Sequence, residues 1–194
     1  MSSASFNRAR TEARARRSGL SALPDDALST AFSEAGLRLR PRKPGDALLS
    51  GAHAVLDREA EAVWYRDDVP SPERRLILAH ELGHVFLHHH DDDCRCDHGD
   101  LEDDPSAGLL TGYGPRQRRE AEANVFAREF LLPAETAQEL FASGKDAPGI
   151  AAELGLPLSL VYSQLSLGGV GKGEWGVGKS WHTSAPTSRP GSAW

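Results

Sequence analysis

The chain predicts an α+β fold: a three-stranded antiparallel sheet packed on one buried helix, with a helix-turn-helix-like pair at the C-terminal side. Three observations lead there. Short alternating segments fill residues 37–66, an almost wholly apolar helical stretch follows at 71–87, and helical periodicity prevails from 119 to 165.

Taken in order, residues 1–19 read as a basic flexible arm carrying Arg8, Arg10, Arg14, Arg16 and Arg17, with helical character through Thr11–Arg16. Five arginines on a tail usually just solvate it; contact with nucleic acid is the alternative. Pro24 to Gly36 reads as a helix, because Ala27, Leu28, Ala31, Phe32 and Ala35 recur at helical spacing and Gly36 suits the stop. Leu37-Arg38-Leu39-Arg40 alternates like a half-buried strand. Ala52–Leu56 and Glu61–Arg66 read as two further strands joined by a hairpin turn at Asp57-Arg58-Glu59-Ala60, with Trp64 and Tyr65 on opposite faces. An edge strand beside an active-site helix can bind a substrate backbone by strand addition, and Glu61–Arg66 is the candidate for that role.

The next helix starts at Ser71 as N-cap, with Pro72 in the first position and Glu73 at the positive end of the dipole. Leu76, Ile77, Leu78, Leu82, Val85, Phe86 and Leu87 make it apolar nearly all round, so it should be buried. Within it lies His80-Glu81-Leu82-Gly83-His84. Residues four apart on a helix sit within about 40° of each other, so both imidazoles can reach one tetrahedral Zn²⁺. Glu81 lies beside that metal, where a carboxylate can take a proton from an activated water. A buried helix with these polar groups needs partners for them.

A catalytic zinc site takes three protein ligands and leaves one position for water. His90 has the H-E-x-x-H-x-x-G-x-x-H spacing, but Leu87 stands where the chain-reversing glycine is required. His88 stays on the right face one turn further along, so it lines the site rather than binding. The better third ligand is Glu120, in Arg119-Glu120-Ala121-Glu122-Ala123-Asn124-Val125-Phe126-Ala127. Ala123, Phe126, Ala127, Phe130 and Leu131 form an apolar stripe there, and Glu120 shares a face with Asn124. Thermolysin-like (gluzincin) peptidases use such an arrangement, a glutamate ligand followed by a polar residue that orients a ligand histidine. Glu122 points about 200° away round the helix and is the fallback ligand.

Several segments do not add to this chemistry. Residues 91–104 hold eight acidic residues and one arginine, a self-repelling loop that either gates the site, attracts a basic partner, or is merely solvated. Cys94 and Cys96 are too close for an easy disulfide, and a lone C-x-C with nearby histidines is a weak metal signal. After Pro133 a helix runs through Phe141. Ile150–Pro157 and Leu158–Leu165 then read as helix, tight turn and helix, but the second helix has no Lys or Arg to anchor phosphates. It reads as a packing or docking module. Residues 168–194 read as a disordered Gly/Ser/Pro-rich tail. Gly173 to Ser180 satisfies the letters of a phosphate loop but lacks the flanking strand and helix, so it is a chance match.

The 194 residues, 39% apolar with net charge −6, suffice for one modest core. The absence of a long apolar run predicts no membrane span, and the N-terminus lacks a signal-peptide pattern. Two cysteines suit a reducing, cytoplasmic compartment.

The chain resembles the ImmA/IrrE (M78-type) zinc metallopeptidases. The resemblance is carried by Leu78-Ala79-His80-Glu81-Leu82-Gly83-His84 with His88, then Glu120 to Ala127, then Leu131-Leu132-Pro133. It covers residues 20–167. It implies one Zn²⁺ per chain held by His80, His84 and Glu120, with Glu81 as general base. It also implies an endopeptidase that cleaves an Xre-type helix-turn-helix repressor, derepressing stress or mobile-element genes. His88, His53 and Tyr113 are open candidates for an oxyanion donor. Two other classes compete: a zinc-stabilised binding module that sequesters a repressor or toxin, and a nucleic-acid-associated regulator acting through the basic arm. Direct nucleic-acid binding is not expected, and oligomeric state is left open.

Overall fold

A computed structural model describes residues 2–87, 95–96 and 115–169 of the protein. Along these residues run α1 (Ser2–Arg17), α2 (Pro24–Glu34), β1 (Arg38–Arg42), β2 (Ala54–Asp57), β3 (Ala62–Arg66) and α3 (Ser71–Phe86). They are followed by β4 (Arg95–Cys96), α4 (Pro115–Leu131), α5 (Ala134–Ala142), α6 (Ala147–Leu154) and α7 (Leu158–Leu167). The fold class is α+β, as expected.

The sheet differs from the expected antiparallel one. Its order is β1-β3-β2-β4, and β3 pairs parallel to β1 (Arg38↔Ala62 through Arg42↔Arg66) but antiparallel to β2 (Ala54↔Tyr65 through Asp57↔Ala62). The two-residue β4 adds antiparallel to β2. The sheet is therefore mixed. Residues 43–53 carry the chain past a strand position, and the tight hairpin then returns β3 into the gap, where it runs the same way as β1. Alternation specifies which face a residue takes but not which strand it meets.

This order also overturns the substrate-strand role expected for Glu61–Arg66. β3 is bonded on both sides, so its backbone groups are already used. Among the described residues β1 is an edge; Arg38 and Arg42 bond toward β3, which turns the alternate Pro41 outward. A proline there withholds an N–H from any strand that might add.

The hairpin is built as its composition suggests. Asp57 Oδ1 accepts from the Ala60 backbone N–H at 2.8 Å, and Glu61 takes a positive φ of 49° to re-enter the ladder. Ala54, Leu56 and Val63 face the main core, with Tyr65 packed against it. On the other face Val55 joins Leu49, Ala52 and Trp64, whose ring lies 4.2 Å beneath the Arg42 guanidinium. Trp64 and Tyr65 do take opposite faces.

Helix α3 runs through the core, with Leu76–His84 and Phe86 buried. Its extended N-cap is Pro70 rather than Ser71, one residue earlier than expected, and the Ser71 hydroxyl accepts from Arg74 at 3.0 Å instead. Helix α4 packs along it, burying Ala123, Phe126, Ala127, Phe130 and Leu131.

The expected flexible arm is instead helix α1, laid against α4. Ala9 and Ala13, four apart, are wholly buried; their small side chains let the two helices approach closely. Arg14 Nε donates to Glu129 at 2.6 Å, and the Arg16 guanidinium stacks over Phe86 at 4.3 Å. The arginines are thus partly spent on packing, their stems covering apolar surface. Basic composition alone does not reveal that.

Helices α6 and α7 follow one another across residues 155–157. Asp146 caps α6 by accepting from the Gly149 N–H at 2.8 Å, and Gly155 ends it in the left-handed conformation (φ 60°). Gln164 ties α7 to α4 by donating to Glu129 and to the Leu132 carbonyl. Expectations for His88, His90, Tyr113, most of the acidic loop, the side chains of the C-x-C pair and residues 170–194 lie outside the described residues. Among the described residues no helix is long and apolar enough to cross a membrane.

Candidate metal centre

His80 and His84 lie one turn apart on α3, both buried, with ring centroids 4.6 Å apart and planes at 77°. Their Nε2 atoms are 2.9 Å from each other. From α4, Glu120 Oε2 comes to 3.2 Å from His80 Nε2 and 3.3 Å from His84 Nε2. Around a tetrahedral zinc with bonds of about 2.0–2.1 Å, neighbouring ligand atoms stand about 3.3 Å apart. The observed triangle therefore has the size that one small ion requires. Three donors, two nitrogens and one carboxylate oxygen, leave a fourth position open, and the donor set suits a divalent ion such as zinc.

The tautomer follows from the hydrogen bonds. Asn124 Oδ1 lies 2.7 Å from His80 Nδ1, and a carbonyl oxygen can only accept, so Nδ1 carries the proton. Nε2 is thereby the nitrogen directed at Glu120 and His84, and it can serve an ion once any proton on it has left. Asn124 is itself buried.

The electrostatics favour a positive guest. Burial pushes His80 down, but the hydrogen bond to Glu120 and the negative charges of Glu81 and Glu120 outweigh it, so its pKa is raised. Burial pushes Glu120 up, yet the hydrogen bonds from His80 and His84 hold its carboxyl far below the ordinary range. Two carboxylates around two imidazoles thus leave room for added positive charge. Glu81 is fully buried next to His80 on α3.

His80, His84 and Glu120 are brought within 4.8 Å of one another, and no other such group occurs among the described residues. Glu122 is not in it: its carboxylate accepts from the Ser5 hydroxyl on α1, away from the histidines. His53 is not in it either. It precedes β2 near Asp68, whose carboxyl is held low first by Arg66 and only slightly by His53. Arg58, read only as a turn residue, reaches from the hairpin to donate to the His84 carbonyl at 3.5 Å. A positive side chain at the C-terminal end of α3 suits the helix dipole. Nothing local in a turn sequence signals such a contact.

Paired histidines on a buried helix, a facing glutamate from a second helix and a carboxylate beside the first histidine define a centre of the metallopeptidase type. The chain belongs to the peptidase M78 family: the IrrE N-terminal-like domain matches residues 33–166, which include all four of these residues. No curated protein matches the chain. The match begins within α2, so α1 precedes it.

Proposed function

We propose that the protein is a zinc-dependent endopeptidase of thermolysin-like (gluzincin) plan that acts in the cytoplasm on an Xre-type helix-turn-helix repressor, relieving repression of stress or mobile-element genes. The observation that carries the reading is the convergence of His80 Nε2, His84 Nε2 and Glu120 Oε2 on one point. The substrate class rests on the family membership.

Zinc bound there would act as a Lewis acid, making a water acidic and polarising the scissile carbonyl. The protein's own residues do the rest. Asn124 holds His80 in the tautomer that offers Nε2. Glu81 accepts the proton of the attacking water as its oxygen bonds to the carbonyl carbon, then returns it to the nitrogen as the C–N bond breaks. Burial of Glu81 keeps bulk water from competing for that proton.

The test is to incubate zinc-loaded protein, and its Glu81→Gln variant, with Xre-type repressors encoded near its gene and to read intact masses. A defined cut made only by the unmodified protein supports the peptidase. A stable complex with both proteins and no cut would replace it with a sequestering module. Cleavage by Glu81→Gln would rule out the proposed base.

A further inference from the structure

The geometry points to Gly83 as a positioning residue of the metal centre: its missing side chain lets α4 approach α3 closely enough for Glu120 to meet both histidines. This rests on the metal-centre reading and concerns what sets its dimensions.

Gly83 precedes His84 on α3, and Ala123 precedes Asn124 on α4, one turn from Glu120. A Cβ placed on Gly83 would lie 2.9 Å from Ala123 Cα, 3.0 Å from Ala123 O and 3.2 Å from Ala123 Cβ. Two of these are backbone atoms, so no rotamer change clears them. Elsewhere among the described glycines, where a Cβ would meet anything, the obstacle is a side chain: Asp146 for Gly149, Arg75 for Gly155, Gln138 for Gly168. Gly83 also lacks the positive φ that would demand glycine for torsional reasons. Glycine is a poor helix former, so space is what accounts for it at this point.

The magnitude decides the consequence. Ordinary contact distances are 3.4–4 Å and real Cβ atoms essentially never come under 3.0 Å, so any side chain at 83 must part the helices by a few tenths of an ångström. Metal–ligand distances tolerate about 0.2 Å. Parting α3 from α4 therefore stretches the 3.2 and 3.3 Å spacings of Glu120 and the 2.7 Å bond of Asn124 together, while every donor atom remains present.

The experiment compares unmodified protein, Gly83→Ala and Glu120→Ala for zinc affinity by competition with a chromogenic chelator. It adds the absorption spectrum of the Co²⁺ forms and the thermal unfolding of the metal-free forms. The expected result is a folded Gly83→Ala that binds zinc about 10–100-fold more weakly, a loss typical of disturbed ligand support, with an altered Co²⁺ spectrum. A purely structural role would lower the unfolding temperature and leave affinity and spectrum alone, overturning the inference. If the unmodified protein does not bind zinc, the metal-centre reading fails and the inference with it. If it binds and Gly83→Ala binds equally, only the inference fails. Should Gly83→Ala not fold, Ala123→Gly serves instead. It removes a methyl and keeps both backbone contacts, so zinc affinity should be unchanged. A loss matching Glu120→Ala would show that the methyl sets the spacing, and would overturn the role given to Gly83.

Discussion

Asn124 Oδ1 accepts from His80 Nδ1 across 2.7 Å, on the same face of α4 as Glu120, so one helix supplies both a carboxylate of the candidate metal centre and the group that orients one of its histidines. Both partners of the bond are buried. Asn124→Ala should therefore weaken zinc binding about 10–100-fold, the usual cost of losing such support. Asn124→Asp keeps the acceptor and adds negative charge, so it should bind zinc at least as well as the unmodified protein. Chelator competition on the three proteins measures this, and equal affinities throughout would remove Asn124 from the site.

Zinc should also stabilise the fold, because an ion that binds only the native state adds about 2.7 kcal/mol at 100 times its Kd. Thermal unfolding with and without a chelator should show a clear shift for the unmodified protein and for Glu81→Gln. His84→Ala and Glu120→Ala should show almost none. A full shift in Glu120→Ala would mean that α4 supplies no donor.

The parts of this centre legible in the sequence are those that depend on periodicity within one helix. The spacing of His80 and His84, and of Glu120 and Asn124, specifies a shared face whatever the tertiary structure. Pairing between elements is a different matter. Nothing in Leu37–Arg40 says that it will lie parallel to β3 rather than beside β2. Likewise Ala9 and Ala13 are too small to mark a buried stripe against so many arginines, and α1 is recognisable only once α4 is in place. Gly83 carried a readable sign, a glycine inside an apolar helix, which generally needs a packing reason. Its neighbour across the gap, Ala123, could not be read from sequence alone.

Helix α1 is held by a buried carboxylate. Glu129 is 1% exposed and accepts from Arg14 Nε at 2.6 Å and from Gln164 Nε2 at 3.0 Å, linking α1, α4 and α7. Arg14→Ala leaves that carboxylate with Gln164 among these two donors and removes the charge that balances it. Because Arg14 is itself 43% exposed, the loss should be nearer 1–3 kcal/mol, roughly the cost of a broken charged hydrogen bond, than the 3–5 of a fully buried pair. Arg14→Ala combined with Glu129→Gln should recover part of it. Urea denaturation of the metal-free proteins measures both, and an unchanged midpoint for Arg14→Ala would show that α1 is not anchored there.

A pH test falls on the other side of α3. Arg75 donates from Nε and Nη2 to Asp25 on α2, at 2.7 and 2.6 Å, and its Nη1 donates to the Gly155 carbonyl. The hydrogen bond from Arg75 lowers the pKa of Asp25, with burial opposing it and the charges of Arg75 and Arg74 adding to it. A carboxyl with a depressed folded pKa contributes stability above its unfolded value of about 3.9, and that contribution is lost as pH falls through the lower folded value. The Asp25 side chain is 65% exposed, so the contribution at neutral pH should stay below about 1 kcal/mol. Asp25→Asn should accordingly be slightly less stable than the unmodified protein at pH 7, and the difference should shrink steadily below pH about 4. Metal-free samples are required, since zinc release in acid would otherwise mask so small an effect. A difference that persists undiminished to pH 2 would assign it to lost packing at the α2–α3 contact instead of to the charge on Asp25.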